Sequence, residues 1–212
     1  MKFDFVVFDL DGTLINTLKG ITVSVNHALK ELKIPYEYSE EEVKTFIGRG
    51  ARRLFRLALK RDFSEEEYKL YLKYYKEDQI VSSVYEGVEE TLKTLEENGI
   101  KLLIYSNKPN EVSQPLIKAK LGDINFLHIQ GQDPQYPPKP DVTLLLKLLK
   151  KYNLIDKKGL YVGDSIVDIE TAKNANLENC ILTYGYGDKK EIEEGSPTYK
   201  INKFEDLIKI VL

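Results

Sequence analysis

The sequence predicts an α/β fold: a mainly parallel sheet covered by helices, with an all-helical cap inserted after the first strand. Three observations predict it. Short strand-like apolar runs at 3–10, 101–106, 126–129, 159–162 and 179–184 alternate with helix-period segments at 88–97, 110–120, 142–152 and 166–174, the rhythm of βαβ units. The stretch from 16 to about 82 breaks that rhythm and carries almost only helical patterning. Acids, a hydroxyl and lysines gather where the strand-like runs end, the edge at which an open α/β sheet binds ligands. The expected organisation is therefore a ligand-binding core of residues 1–15 and 82–212, with a helical cap at 16–81.

The first strand is written by Phe3, Phe5, Val6, Val7 and Phe8, aromatic and β-branched side chains suited to burial. It delivers Asp9 and Asp11, one residue apart, onto a turn at Gly12. Two carboxylates so close repel each other unless a cation or a shared proton joins them. Gly12 turns the backbone without a Cβ clash and frees nearby N–H groups to face an anion. A calcium loop does not fit, because the further acids and the closing Glu are missing. Alone, Asp9-Leu10-Asp11-Gly12 reads equally well as a polar turn ending a strand.

Cap helices are expected at 17–32, 39–47, 51–60 and 64–79. Ser39 and Ser64 each stand three residues before a Glu, the capping-box pattern of a helix start. Arg49, Arg52, Arg53, Arg56 and Lys60 fall on one helical face, either as a solvated stripe or as a field that draws anions into a cleft. Tyr68, Tyr71, Leu72 and Tyr75 form an amphipathic stripe expected in the cap core or against another subunit. His27 and His128 are too isolated to form a zinc or catalytic cluster, and His128 is expected to be buried structure.

The composition excludes several classes. The chain has 212 residues, 42% hydrophobic and formally −3 in charge, enough for a packed core and a poor match to a nucleic-acid partner. It shows no signal-peptide pattern and no 18-residue apolar stretch, so neither export nor membrane spanning is expected. The single Cys180 sits in a strand-like run and reads as a small buried hydrophobe in a reducing, cytoplasmic setting.

At the functional edge stand Asp9 and Asp11, then Ser106-Asn107-Lys108, then Lys139, then Gly163-Asp164-Ser165 with Asp168 beyond. Singly, Ser106 and Asp164 read as helix caps, Lys139 as a loop lysine and Asp168 as a first-turn acid. Together they read as a phosphate site. A hard, oxygen-ligated divalent ion, Mg2+ foremost, neutralises clustered carboxylates and a phosphoryl group at once. A carboxylate can attack phosphorus, and a neighbouring acid can move the protons.

The chain resembles the haloacid dehalogenase-like hydrolase superfamily over essentially its whole length. Asp9-Leu10-Asp11-Gly12-Thr13, the strand ending at Ser106, Lys139-Pro140, and Gly163-Asp164-Ser165-Ile166-Val167-Asp168 match its four motifs in order. The resemblance implies a Rossmann-like core in which Asp9 is nucleophile and metal ligand. Asp11 becomes the acid/base and a metal ligand through its carbonyl, and Asp164 completes the metal site. Ser106, Asn107, Lys139, Gly12 and Thr13 become phosphate contacts, with Lys139 catalytic and Asp168 supporting the metal waters or Lys139. Val84-Tyr85-Glu86-Gly87, Tyr105-Ser106-Asn107-Lys108-Pro109 and Tyr184-Gly185-Tyr186-Gly187 resemble the phosphoglycolate phosphatase-like branch. Phe46-Ile47-Gly48-Arg49-Gly50 resembles its substrate-facing cap loop, which makes Arg49 a candidate for a second anionic group. Ser106 stands where Thr is commoner, and Lys139-Pro140-Asp141-Val142 lacks a second proline. The implied protein is a monomeric or homodimeric phosphatase acting on a small anionic phosphorylated metabolite. A pyrophosphatase of the same branch, a sugar-phosphate mutase and a phospho-accepting signalling module are the alternatives.

Overall fold

The first strand, β1 (Phe5–Phe8), is buried along its whole length. The structure, a computed structural model, describes residues 2–212. After β1 the chain makes a two-residue strand β2 (Ile15–Asn16) and then the helices α1 (Leu18–Glu31), α2 (Glu40–Lys44), α3 (Ala51–Leu59) and α4 (Glu65–Glu77). A 3-10 turn (Asp78–Val81) leads back through β3 (Ser83–Val84) to α5 (Val88–Glu97). There follow β4 (Lys101–Pro109), α6 (Asn110–Lys120), β5 (His128–Gln132), α7 (Thr143–Lys151), β6 (Gly159–Gly163), α8 (Ile166–Asn174) and β7 (Glu178–Leu182). The chain closes with α9 (Lys189–Gly195), β8 (Tyr199–Ile201) and α10 (Leu207–Val211).

Six strands form one parallel sheet in the order β5-β4-β1-β6-β7-β8. Alternation along β1 feeds both faces. Val6 and Phe8 join Leu92, Leu116 and Leu207 on one side, while Phe5 and Val7 meet Leu145, Leu149 and Ala172 on the other. A strand covered on both faces has no polar side to show, which explains the unbroken apolar run. From β1 the chain runs outward to β4 and β5, then crosses back to β6. The crevice at the C-terminal ends of β1, β4 and β6 is the place this topology leaves for a ligand.

The helical insertion has its own core, with Ile21, Val25 and Leu29 of α1 packed against Phe55 of α3 and Tyr71 of α4. Phe55, Tyr71 and Tyr75 stack in sequence at 4.6 and 5.2 Å between ring centroids. The tyrosine stripe is thus insertion core. Both capping boxes form: Ser39 and Ser64 accept the N3 amides while Glu42 and Glu67 accept theirs, each cap contributing about 1 kcal/mol. β2 and β3 pair antiparallel where the chain enters and leaves the insertion.

Several expectations shift. The helix expected at 39–47 ends at Lys44, and the chain opens into a loop whose Gly48 and Gly50 have φ of +102° and +90°. The strand expected at 101–106 runs on to Pro109. The strand expected at 126–129 lies at His128–Gln132, where polar Gln130 and Gln132 suit a sheet edge. Edge strand β8 was not expected, since three residues with a central lysine are too short to carry a pattern. His128 is half-buried rather than buried, and bonds Gln130 and Tyr152. Among the described residues no helix is long and apolar enough to cross a membrane.

Candidate active site

Asp9 follows the last residue of β1, and its amide donates to the carbonyl of Val162 in β6. It sits at the bottom of a cavity of ≈ 700 Å³ between the sheet edge and the insertion. Its Oδ1 is fully buried, 3.0 Å from Lys139 Nζ but without a hydrogen bond. Burial is the main force that raises its pKa to about 6; Lys139 opposes that rise, Asp168 adds to it, and a Ser106 hydrogen bond opposes it. Asp164, at the end of β6, is pushed well above the carboxylate range by burial, then by Asp168 and Asp9.

Lys139 is buried behind Asp9. It donates to Asp168 Oδ1 at 2.8 Å and to the Tyr161 hydroxyl at 3.1 Å. Burial works against its charge, but Asp168 and Asp9 outweigh burial and hold its pKa well above normal. Asp168 Oδ2 accepts from the Asp164 and Ser165 amides and from Ser165 Oγ. This fully engaged carboxylate fixes both Lys139 and the turn that carries Asp164.

Asp9, Asp164 and Asp168 each bring an oxygen within 4.8 Å of the others, a cluster able to hold a divalent metal ion. The donor chemistry suits such a cation. With all groups ionised, the buried site holds four carboxylates (Asp9, Asp11, Asp164, Asp168) against two ammonium groups (Lys108, Lys139). Burial first, and the neighbouring carboxylates after it, raise the pKa of Asp9 and Asp164, and a bound cation would oppose that rise. Of the three, Asp168 is the most heavily committed, accepting four hydrogen bonds, whereas each Asp164 oxygen accepts one and Asp9 Oδ1 accepts none.

A carboxyl whose native pKa stands above its unfolded value favours folding at low pH and opposes it as pH rises through the native value. A rise from 3.8 to about 6 corresponds to at most about 3 kcal/mol at neutral pH. In the metal-free protein Asp9→Asn is therefore expected to melt higher than wild type at pH 7.5, with the gap closing at pH 4.5. Thermal melts in chelator at the two pH values check this, and a variant that melts lower at pH 7.5 contradicts it.

Two glycines let the backbone close around Asp164. Gly12 has φ +80°, and a Cβ there would stand 2.5 Å from Asp164 Oδ2. A Cβ on Gly185 would stand 2.2 Å from Asp164 Cβ. Thr13 is buried and donates to Asp164 Oδ1 at 3.3 Å. Gly12 and Thr13 thus back Asp164 and do not line the cavity. Asn107 lines it but acts as a brace. Its Oδ1 accepts the Lys139 amide at 2.7 Å, and its Nδ2 donates to the Lys139 and Gly48 carbonyls. Ser106 lines the cavity beside Asp9.

Asp11 stands outside the carboxylate cluster. Its Oδ1 accepts from Lys108 Nζ at 3.1 Å, while Oδ2 makes no hydrogen bond to the described residues. Arg49 is exposed on the insertion loop and faces the same cavity, with Lys44 and Arg53 nearby. The basic stripe therefore divides. Arg52 and Arg56 pair with Glu65 and Asp62, while Arg49 and Arg53 turn toward the cavity. His27 pairs with Asp78 at 2.9 Å and does not line it. Two participants were given no role by the sequence reading although their segments were singled out, Lys108 and the Tyr186 amide that donates to Asp164 Oδ2, and a third, Tyr161, escaped it. Lys108 and Tyr186 carried a signal, in Tyr105-Ser106-Asn107-Lys108-Pro109 and Tyr184-Gly185-Tyr186-Gly187, whereas Tyr161 carried none.

The comparisons with known proteins agree with this geometry. Residues 6–182 match the family of haloacid dehalogenase-like hydrolases, and the chain belongs to that family. It is 38% identical to a phosphoglycolate phosphatase of Mannheimia succiniciproducens over 99% of both chains. It is 33% identical to one of Aquifex aeolicus, over 97% of this chain and 95% of that one. A predicted phosphoglycolate phosphatase from Haemophilus somnus shares its fold with a TM-score of 0.86 and 32% identity, covering 99% of this chain and 98% of that one. Within the family the chain stands in the phosphoglycolate-phosphatase branch and is a phosphatase of that type. The signalling-module alternative falls away.

Proposed function

We propose that the chain hydrolyses a small phosphomonoester bearing a second anionic group, 2-phosphoglycolate foremost, with Mg2+ as its metal. The supporting observation is the floor of the cavity: Asp9, with Lys139 3.0 Å from its buried Oδ1, lines it beside Ser106 and Asp164, and insertion residue Arg49 lines the same space.

Asp9 and Asp164, with the Asp11 carbonyl implied by the family resemblance, are the residues that would hold the ion. When bound, the metal supplies charge neutralisation for a phosphoryl group brought against Asp9. In the first step an Asp9 oxygen forms a bond to phosphorus as the ester P–O bond breaks, and Asp11 gives its proton to the departing alkoxide. In the second, water attacks phosphorus, Asp11 takes the water's proton, and the Asp9 carboxylate leaves. Ser106 and Lys139 face the charge that develops on the phosphoryl oxygens. Asn107 and Asp168 keep Lys139 in register. The insertion covers the site and excludes bulk water.

Initial rates of phosphate release with Mg2+ test this, using 2-phosphoglycolate, pyrophosphate, several sugar phosphates and a nucleotide monophosphate. The expected result is a clear preference in kcat/KM for phosphoglycolate. Arg49→Ala is expected to reduce that preference by about 10- to 100-fold, chiefly through KM, the scale of one charged contact. A preference for pyrophosphate or a sugar phosphate would replace the substrate while leaving the chemistry. Arg49→Ala with unchanged constants would remove Arg49 from the site.

A further inference from the structure

Lys108, near the end of β4, makes no contact in the chemistry above, yet its side chain is 0% exposed. An ammonium group has three hydrogens to donate and is costly to bury with any of them unmet. Here all three are met: by Asp11 Oδ1 at 3.1 Å, the Tyr75 hydroxyl at 2.9 Å and Gln79 Oε1 at 3.2 Å. The first acceptor belongs to the catalytic edge of the sheet. The other two belong to the helical insertion, Tyr75 to α4 and Gln79 to the 3-10 turn after it. Nζ also lies 4.2 Å from the Tyr75 ring centroid, close enough for a cation–π contribution. The Gln79 amide can turn only its oxygen to Lys108, because the reverse would set an NH2 group against an ammonium.

We propose that Lys108 is a positioning residue that couples the seating of the insertion to the placement of Asp11. This rests on the assignment of Asp11 to proton transfer. With the insertion seated, Lys108 is fully satisfied and holds Asp11 Oδ1, leaving Oδ2 free to exchange a proton. When the insertion lifts, Lys108 loses two acceptors of three and turns to water, and the hold on Asp11 loosens. The proton-transfer group is thus in place only over a covered site, the condition under which transfer goes to the substrate rather than to bulk water. Neighbouring Asn107 reinforces the link through its bond to the Gly48 carbonyl of the insertion loop at 3.0 Å. β4 carries both ties because it continues past Ser106.

The test uses Lys108→Met, Tyr75→Phe and Gln79→Met, with phosphate release measured on a substrate the wild type turns over. Gln79 does not line the cavity, so its effect cannot come from substrate contact. Each variant is expected to lose kcat, with KM little changed. Lys108→Met should lose about 10- to 100-fold, as a displaced catalytic group does. Gln79→Met should add nothing on the Lys108→Met background, since both break one link. If Lys108→Met does not fold, the two insertion variants carry the test. Crystal structures of Gln79→Met and Tyr75→Phe read the Asp11 carboxylate directly and need no substrate, so they separate failure of the coupling from failure of the substrate reading. An Asp11 carboxylate unmoved in both overturns the coupling. So does wild-type kcat in Gln79→Met, or a rise in KM alone in Lys108→Met, which would make Lys108 a substrate contact.

Discussion

Asp9→Asn is expected to lose about three orders of magnitude or more in phosphate release, the scale on which removal of an attacking group is felt. The substitution keeps the shape of the side chain and removes only its charge and nucleophilicity. Ser106 and Lys139 remain, as do the sheet contacts through the Asp9 amide. Loss of rate must then come from the chemistry and not from the fold. The same variant is expected to gain stability in chelator at neutral pH, so one change moves activity and stability in opposite directions. That trade is characteristic of a site held in tension for function. Activity within tenfold of wild type, in protein freed of contaminating phosphatase, would sink the assignment of Asp9.

Asp11→Asn is expected to lower kcat by about 10²- to 10⁴-fold, the contribution of a positioned general acid/base. The loss should depend on the leaving group. An alkyl phosphate needs a proton delivered as the bond breaks; an aryl phosphate with a good leaving group does not. With p-nitrophenyl phosphate the first step is therefore spared, whereas the water step still lacks its base. A covalent phosphoryl adduct on the chain should accumulate, read by mass spectrometry after an acid quench. Equal losses for both leaving groups without an adduct would take the proton-transfer role from Asp11.

Much of this site was legible in the sequence because its residues sit at the ends of strong apolar runs. Phe5 to Phe8 had to be a buried strand, so Asp9 had to stand at its end, and similar reasoning placed Ser106 and Asp164. The edge strand β8 and the paired β2 and β3 were illegible, since two or three residues show no periodicity. Lys108 was visible but mute. Its meaning lies in Tyr75 and Gln79, about thirty residues earlier, and no local pattern records that three acceptors meet around one ammonium. Arg49 and Arg52 looked alike as members of one basic stripe, and only the resemblance of Phe46-Ile47-Gly48-Arg49-Gly50 to a cap loop set Arg49 apart. They part company because Arg52 pairs with Glu65 and lies over the Tyr68 ring, while the glycines beside Arg49 turn it to the cavity.

The insertion leaves and rejoins the core through Ile15–Asn16 and Ser83–Val84, paired with Ile15 opposite Val84 and Asn16 opposite Ser83. To the sheet, everything between these strands is one loop whose ends already touch. Closing such a loop costs only about 0.6 kcal/mol more for each doubling of its length. The core is therefore nearly indifferent to what that loop contains, and the part that carries Arg49 can lengthen, shorten or be exchanged. Asp9 and Asp164, to which the proposed chemistry falls, stay where β1 and β6 put them. The insertion can change at small thermodynamic cost while the sheet edge beneath it stays fixed.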